Sequence, residues 1–556
     1  MNPEILYPWF KIDILGGGLS LAICFFLLLI IVYSLKFMKG SPHLPQYYAY
    51  IIFTAIFSVA ALLANNLILL LVFWGILGLI LYLLIDIGKN DSSVVAKKTF
   101  IIIGAADALM LLGVIIVYQL SKTWQMDKIN LSLDSGLAVL AYICIAIGSF
   151  AKAGAMPMHS WIPDCAEAAP LPVVAYLPAA LDKLLGIYLL ARISLDLFVM
   201  NEALNIFLMF IGAITIIAAV MMALVQHNMK RLLGYHAVSQ VGYMVLGIGT
   251  GNPIAIAGGI FHMLNNALYK SSLFLNTGNV EKAVNTTELD KLGGLNKAMP
   301  VTYATFIIAS LSIAGVPPFN GFFSKWMIYQ GIVSQLQVVS PALKTTGTIC
   351  LVAAMFGSAL TLASFMKLIH ATFLGPRDNQ PAKGQKNREV SWLMWLPSVI
   401  LTLLCVIFGI FAYQLPLKYF ILPVIKEKME FSGLWQSGLS ALLILCGLIL
   451  GLLIFKLKNL NSALRQDIRF TGAETSGLEG TELSGTDFYN TIKELRVLKR
   501  IYKKAEAGFF DLYEQAKRFV FFVSKKFQYL HNGVLPTYLV WFLLGMLVLF
   551  YTFILR

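Results

Sequence analysis

AYICIAIGSFAKAGAMPMHSWIPD, residues 141–164, begins as an apolar run and ends in a lysine, a proline, a histidine and a Trp-Ile-Pro-Asp turn. The run 136–156 is long enough to cross a bilayer as a helix, and Lys152 lies inside it, where lipid normally excludes an ammonium group. Pro157, Pro163, Pro170 and Pro172 then interrupt the apolar pattern, which continues to residue 195. Proline removes a backbone donor and ends or kinks a helix, and a break at membrane depth is tolerated only where protein or a water-filled cavity shelters it. The stretch therefore predicts a membrane segment broken beside a charge.

Outward from this point, apolar runs recur at 14–37, 48–64, 67–87, 99–119, 171–195, 204–225, 235–250, 254–276, 300–337, 346–373, 394–413, 434–456 and 534–554. Of the 556 residues 58% are hydrophobic and 13% charged, with a mean hydropathy of +0.78, which excludes a soluble globular chain. The fold class is all-α, a polytopic membrane protein of about 14 transmembrane helices. The run 300–337 is too long for one straight helix and carries Gly315-Val316-Pro317-Pro318 near its middle, a second proline break. Two Pro-broken helices in two parts of one chain suggest an inverted repeat around a central ion path.

The net charge of +14 does not indicate nucleic acid, because lysine and arginine cluster in loops between apolar runs and in one C-terminal stretch. Lys36/Lys39, Lys89/Lys97/Lys98, Lys230/Arg231, Lys282/Lys291/Lys297 and Arg377/Lys383/Lys386/Arg388 all fall on one side when the N-terminus is outside, so that side is read as cytoplasmic, with Lys122, Lys128, Lys418, Lys426 and Lys428 as exceptions. The first run lacks a basic n-region and a small-residue cleavage site and reads as a retained helix. Cysteines 24, 144, 165, 350, 405 and 446 are scattered without CxxC pairing, so neither a metal site nor a disulfide framework is expected.

The expected organisation is an N-terminal helix and loop (1–47), a core (48–415), an additional transmembrane helix (416–456), a Gly/Ser/Thr-rich acidic linker (457–483), an amphipathic lateral helix (484–530) and an anchor (531–556). Leu495, Leu498, Ile501, Tyr502, Ala505, Phe509 and Leu512 recur at helical spacing in the lateral stretch, with lysines and arginines on other faces.

Several ionisable groups stand in oil. Asp107 lies in IIIGAADALMLLGVII, Lys183 beside Asp182 in PAALDKLLGIYLL, and Lys325 after the second break in FNGFFSKWMIY. His262, Asn266 and Lys270 are spaced by four and climb one helix face; Lys367 and His370 are three apart. Each charge at helix centre costs about 2.5–3.5 kcal/mol on an insertion scale, so together they suggest a lateral chain of proton-exchanging groups. Desolvation brings the charged and neutral forms of a lysine within reach of one another, which suits that task. The competing reading of Lys152 and Lys367 is snorkelling to the headgroups. Asp182 can simply neutralise a neighbour, Asp86 ends its helix at the interface, and His159 and His236 read as structural hydrogen-bonding residues. No nucleotide loop, metal-spaced cluster or nucleophile elbow occurs.

AKAGAMPMHSWIPDCAEAAPLPVVA, HNMKRLLGYHAVSQVGYM, FHMLNNALYKSSLF, LDKLGGL and SIAGVPPFNGFFSKW resemble, in order, blocks of the antiporter-like membrane subunits of respiratory complex I. The same family includes subunits of membrane-bound energy-converting hydrogenases and of multisubunit sodium/proton antiporters. The resemblance covers about residues 50–415, and ALTLASFMKLIHATFLG, the HNGVLPTYL ending and the tail favour the long-tailed hydrogenase or complex I-like branch. It implies an inverted-repeat antiporter-like core and a proton-translocating subunit of a redox-driven complex that does not itself transfer electrons. No cofactor is implied in this chain; iron–sulfur clusters and a flavin or nickel–iron centre are implied in peripheral redox partners. Other antiporter-like and small membrane subunits are implied as neighbours, in the inner (plasma) membrane, with protons as the ion and sodium as the alternative. A sodium/proton antiporter subunit and a scaffold that has lost transport are the competing readings.

By position, the resemblance makes Lys152 the central proton-holding group, Lys183 a second lysine, His262 and Lys270 parts of a connecting axis, and Lys325 the exit-side group. Asn266 stands where many members have a second histidine, and Asp107 resembles an aspartate of the long-tailed members. Members usually carry a glutamate in a stretch like FVFWE; here LLLVFWGILG places Gly75 there, in a block that begins earlier than in most relatives. Asp107 or Asp182 is then left to balance Lys152.

Overall fold

The computed structural model describes residues 9–88, 91–336, 340–375, 388–425 and 495–554, with isolated positions between 442 and 493. Several of its helices open on polar caps, because a first-turn N–H left bare in lipid is costly. Asp13 caps α1 (Ile14–Phe37) through the Gly16 N–H at 2.7 Å, and α2 (Leu44–Leu63) follows. Asn66 caps α3 (Leu67–Asp86) through the Ile68 N–H at 2.9 Å, before α4 (Ser92–Ser121). Ser135 caps α5 (Gly136–Ala153).

The broken region comprises α6 (Trp161–Ala168), α7 (Leu171–Tyr176), a π turn (Leu177–Leu181) and α8 (Asp182–Arg192). Then come α9 (Glu202–Leu224), α10 (Met229–Gly249) and α11 (Pro253–Val284), the last two capped by Asn228 and Asn252. The 300–337 run divides, as its prolines require, into α12 (Pro300–Ala314) and α13 (Asn320–Gln335). α14 (Pro341–Ile369) and α15 (Trp392–Ile410) complete the bundle. The strands among the described residues are two-residue segments, β1 (Leu131–Ser132) and β2 (Phe198–Val199), paired in parallel.

Ten described segments are long and apolar enough to cross a membrane, and the protein is a multi-pass membrane protein. Burial separates an outer ring from a centre. α1 exposes Leu21, Leu28 and Leu35, one every seven residues, on a single apolar face. The most apolar window of 171–197 is wholly buried, whereas the window of α1 is 39% buried. α10 and α11 do not reach the apolarity of the ten because His236, Gln240, His262, Asn265, Asn266 and Lys270 lie on them, and those side chains are all buried. Close approach at the centre uses small residues: a Cβ on Gly242 would lie 2.6 Å from the Gly212 carbonyl oxygen, so α9 and α10 meet backbone to backbone.

Residues 495–556 form a separate compact unit. The amphipathic stretch is two helices where one was expected over 484–530: α16 (Arg496–Glu506) and α17 (Leu512–Leu530). Gly508, at φ +71°, takes the left-handed conformation that ends α16, and the Phe509 N–H closes on the Lys504 carbonyl at 2.9 Å. α18 (Leu535–Ile554) is the expected final span. The additional helix at 434–456, the linker at 457–483 and the first part of the lateral stretch lie outside the continuously described residues.

Candidate functional site

Both breaks are built on the same local device. Ala153-Gly154-Ala155-Met156-Pro157 ends α5, and Ala314-Gly315-Val316-Pro317-Pro318 ends α12. Gly154 (φ +85°) and Gly315 (φ +82°) turn the chain in the left-handed region, where a side chain would be strained. The missing side chain also makes room for a cation. A Cβ on Gly154 would lie 3.7 Å from Lys183 Nζ, and a Cβ on Gly315 would lie 3.7 Å from Lys325 Nζ. Each ammonium thus sits against the carboxyl end of a broken helix, where unsatisfied carbonyls favour positive charge.

At the first break, Gly186 lets α8 press on α5: its Cβ would lie 2.6 Å from the Ala153 backbone nitrogen, and Ser149 donates to the Gly186 carbonyl at 2.6 Å. The Trp161 indole donates to the Ala151 carbonyl at 2.9 Å and holds the broken end. This packing brings Lys152, near the end of α5, to Asp182 in the first turn of α8, with Nζ and Oδ1 3.9 Å apart and both side chains buried. Lys152 also lies over the Trp74 ring at 5.6 Å, and Asp107 of α4 turns its carboxylate to the same helix, 3.7 Å from where a Cβ on Gly78 would lie. Among the described residues, Lys152 Nζ, Lys183 Nζ, Asp107 Oδ1 and both Asp182 oxygens have no hydrogen-bond partner.

α11 donates to carbonyls of the π turn and of α7 just before it. Asn266 donates to the Ala179 carbonyl at 3.3 Å and Ser271 to the Ala175 carbonyl at 2.7 Å. Further along α11, Lys270 Nζ donates to the Leu233 carbonyl at 2.9 Å. Phe365 connects it to His236: Lys270 Nζ lies 5.9 Å from that ring and the imidazole 4.8 Å, while His236 Nε2 and Ser364 Oγ are 2.8 Å apart. α11, which carries Lys270, packs on α8, which carries Lys183, and Tyr243, whose ring faces Lys325, lies on α10 with His236.

At the second break, Lys325 Nζ donates to the Ile313 carbonyl at 2.9 Å and faces the Tyr243 ring at 4.6 Å. His262 joins this end: its Nδ1 lies 2.8 Å from Ser324 Oγ and its Nε2 3.1 Å from Gln240 Oε1. Asn265 and Asn320 bond reciprocally at 3.0 Å, each through its amide nitrogen, and tie α11 to the break.

The buried groups therefore fall into a sequence, Asp107, Lys152, Asp182, Lys183, Lys270, His236 and Lys325, with His262 beside the last. Two candidates lie off this line. Lys367 Nζ donates to the Leu224 and Gln226 carbonyls at 2.9 and 3.1 Å, capping the end of α9, and His370 is exposed. His236, which the sequence left between a structural hydrogen-bonding residue and a supporting member of the proton path, stands wholly buried against the Phe365 ring that Lys270 also faces, a place no local spacing reveals. His159 contacts the Pro157 carbonyl at 3.3 Å, and Asp164 pairs with Lys98 at 2.7 Å and Arg231 at 3.2 Å, so the turn after the first break is held from α4 and α10. Gly75 is exposed, and a Cβ there would meet nothing within 4 Å, so its face of α3 points away from Lys152. Among the described residues, no group of three His, Cys, Asp or Glu side chains is placed to hold a metal ion.

Residues 64–366, which contain both breaks and every group of the buried line, match the family described as NADH:quinone oxidoreductase/Mrp antiporter, TM. The chain belongs to this family. It is an antiporter-like membrane subunit. Na(+)/H(+) antiporter subunit A1 of Staphylococcus epidermidis is 32% identical over 402 residues, covering 69% of this chain and 50% of the relative. The same-named subunit of Staphylococcus aureus is 31% identical over 471 residues, covering 80% and 58%. The chain thus spans about half the length of the curated relatives it matches. Solved structures share the fold. A chain of the membrane-bound sulfane sulfur reductase, an archaeal respiratory membrane complex, aligns with TM-score 0.74 at 21% identity, over 98% of this chain and 89% of that one. Chains of the Mrp complex from Dietzia sp. DQ12-45-1b (TM-score 0.67, 21% identity, 75% and 84% covered) and of respiratory complex I from Thermus thermophilus (0.64, 18%, 75% and 85%) align as well.

Proposed function

We propose that this chain translocates protons as a subunit of a redox-driven membrane complex. The observation that carries the reading is the buried line of lysines and a histidine joining two broken helices. Each break opens a helix end to internal water, and each presents a lysine there. A proton held on Lys183 passes to Lys270, then by way of His236 to Lys325, each donor becoming neutral as its acceptor becomes charged. The unpartnered polar atoms at the first break support hydration of that site, because a buried polar group left without any partner costs about 1–3 kcal/mol.

Two further features favour a redox-driven assembly in an energy-transducing inner (plasma) membrane. The amphipathic helices α16 and α17 and the span α18 suit docking along neighbouring membrane subunits. The likeness to the archaeal respiratory chain also extends over 98% of this chain, tail included. The driving redox centres then belong to peripheral partners, and the basic loops put the N-terminus outside. The sequence relationship to Na(+)/H(+) antiporter subunits favours the second reading, antiport without a redox partner.

Purification of the full chain with its associated subunits in mild detergent, followed by reconstitution, separates the two. Co-purifying iron–sulfur absorbance and acidification of vesicles driven by electron transfer, independent of sodium, are expected. A complex of membrane subunits alone that exchanges sodium for protons contradicts the redox-driven reading.

A further inference from the structure

Two cavities adjoin at the end of the bundle where α1 begins and α2 and α8 end, the level at which membrane helices meet the headgroups. Ile14 and Leu15, in the first turn of α1, line both of them. One is a polar bowl of about 430 Å³ with Lys11, Asp13, Asp127, Arg192 and Asp196 in its wall. The other is a groove of about 320 Å³ between α1, α11, α15 and the segment Tyr413–Ile421, and every described residue lining it is apolar.

The groove follows α1 from Ile14 to Phe26, about 18 Å at ~1.5 Å per residue. That is a little more than one leaflet of a hydrocarbon core roughly 30 Å thick. Spread over this length, 320 Å³ gives a mean cross-section of about 18 Å². A single hydrocarbon chain fills such a slot, whereas a helix about 10 Å across needs on the order of 80 Å². Leu19, Phe26, Ile260 and Met263 are buried and form its floor, while Leu21 at its edge is 68% exposed, so the opening faces lipid. A Cβ on Gly18 would lie 3.0 Å from the Phe420 ring, so the glycine lets the Tyr413–Ile421 segment close over α1 next to the bowl.

The bowl carries both signs of charge. Arg192, the last residue of α8, pairs with Asp13 and with Asp196, the latter at 3.0 Å, and Lys11 pairs with Asp127 at 3.2 Å. The Arg192 guanidinium has more N–H donors than its bonds to those two carboxylates use. The side chains of Asp13 and Asp196 are each 31% exposed and that of Lys11 40%, so the ion pairs stand open to a ligand. Three carboxylates to two cations leave one negative charge in excess. That balance disfavours an anionic headgroup and suits one that carries its own ammonium beside its phosphate.

We propose that the joined cavities hold one aminophospholipid, with one acyl chain in the groove, the other in the bilayer and the phosphoethanolamine headgroup in the bowl. The phosphate accepts from Arg192 and Lys11, and the ammonium donates to the carboxylates of Asp127 and Asp196. A choline headgroup cannot make the second contact, because its methylated nitrogen has no N–H. The lipid bridges the start of α1 to the end of α8, and the site does not depend on which ion the chain moves.

The test uses the purified complex of the full chain in phosphatidylcholine vesicles with a few per cent of phosphatidylethanolamine that carries a diazirine on one acyl chain. After illumination, label is expected on the peptides that contain Phe25 and Met263. Excess unlabelled phosphatidylethanolamine is expected to lower that label about tenfold, the scale of one charge-assisted hydrogen bond, and phosphatidylglycerol to leave it unchanged. Ala22→Trp, which fills the groove, is expected to remove the label, and Lys11→Gln, at the open rim of the bowl, to lower it severalfold. Equal competition by the two lipids, or full label in Lys11→Gln, overturns the headgroup site and leaves ordinary boundary lipid. No label on these peptides, full label in Ala22→Trp, or a cross-link that seats residues 1–8 or 434–456 in the groove overturns the lipid as its occupant. If Ala22→Trp fails to assemble, competition in the unaltered complex decides alone.

Discussion

Glycine makes each break possible at the level of single residues. Gly154 needs its left-handed backbone, and a methyl group there would collide with Ile162. Gly154→Ala is expected to destabilise the protein by about 1–3 kcal/mol, measured by thermal unfolding in detergent. Gly75→Ala, with open space around it, is the matched control and is expected to leave stability unchanged. Equal melting of all three proteins would argue against a strained break. Lys367 illustrates a buried lysine with a different task. Its ammonium caps the carbonyls of Leu224 and Gln226, so Lys367→Met is expected to lower stability while leaving proton uptake per electron intact. A selective loss of pumping in that variant would place Lys367 on the path.

The π turn between α7 and α8 depends on partners from another element. Ser271 supplies one of them, and Ser271→Ala removes its bond to the Ala175 carbonyl, at an expected cost of about 0.5–1.5 kcal/mol by thermal unfolding. No loss of stability would mean that the turn holds itself. This dependence also explains what could be read in advance. The spans and both breaks follow from local chemistry: apolar length sets a membrane helix, and Pro157 or Pro317-Pro318 ends one. The recurring Ala-Gly-x-x-Pro at 153–157 and 314–318 was visible as a signal of the shared device. The π turn was not visible, because it forms only where α11 offers donors to the released carbonyls. For Lys152 the sequence left Asp107 and Asp182 open as partners, and Gly186 packing on α5 brings Asp182 to 3.9 Å. The lateral stretch read as one helix because its apolar spacing continues through Gly508, whose backbone ends α16.

For the whole molecule, the division of labour is between a bundle with a charged centre and a separate C-terminal unit of residues 495–556. Removing that unit is expected to leave the bundle folded in the membrane while lowering the yield of assembled complex, as seen on native gels. Full assembly without it would show that docking lies elsewhere. The proposed transport depends on the buried line from Lys183 through Lys270 and His236 to Lys325. The most direct measurement is the proton-to-electron ratio of vesicles carrying Lys325→Met, compared with the unaltered complex at equal assembly. Proton uptake reduced by about 10²-fold or more with electron transfer continuing is the predicted result; an unchanged ratio would contradict the account.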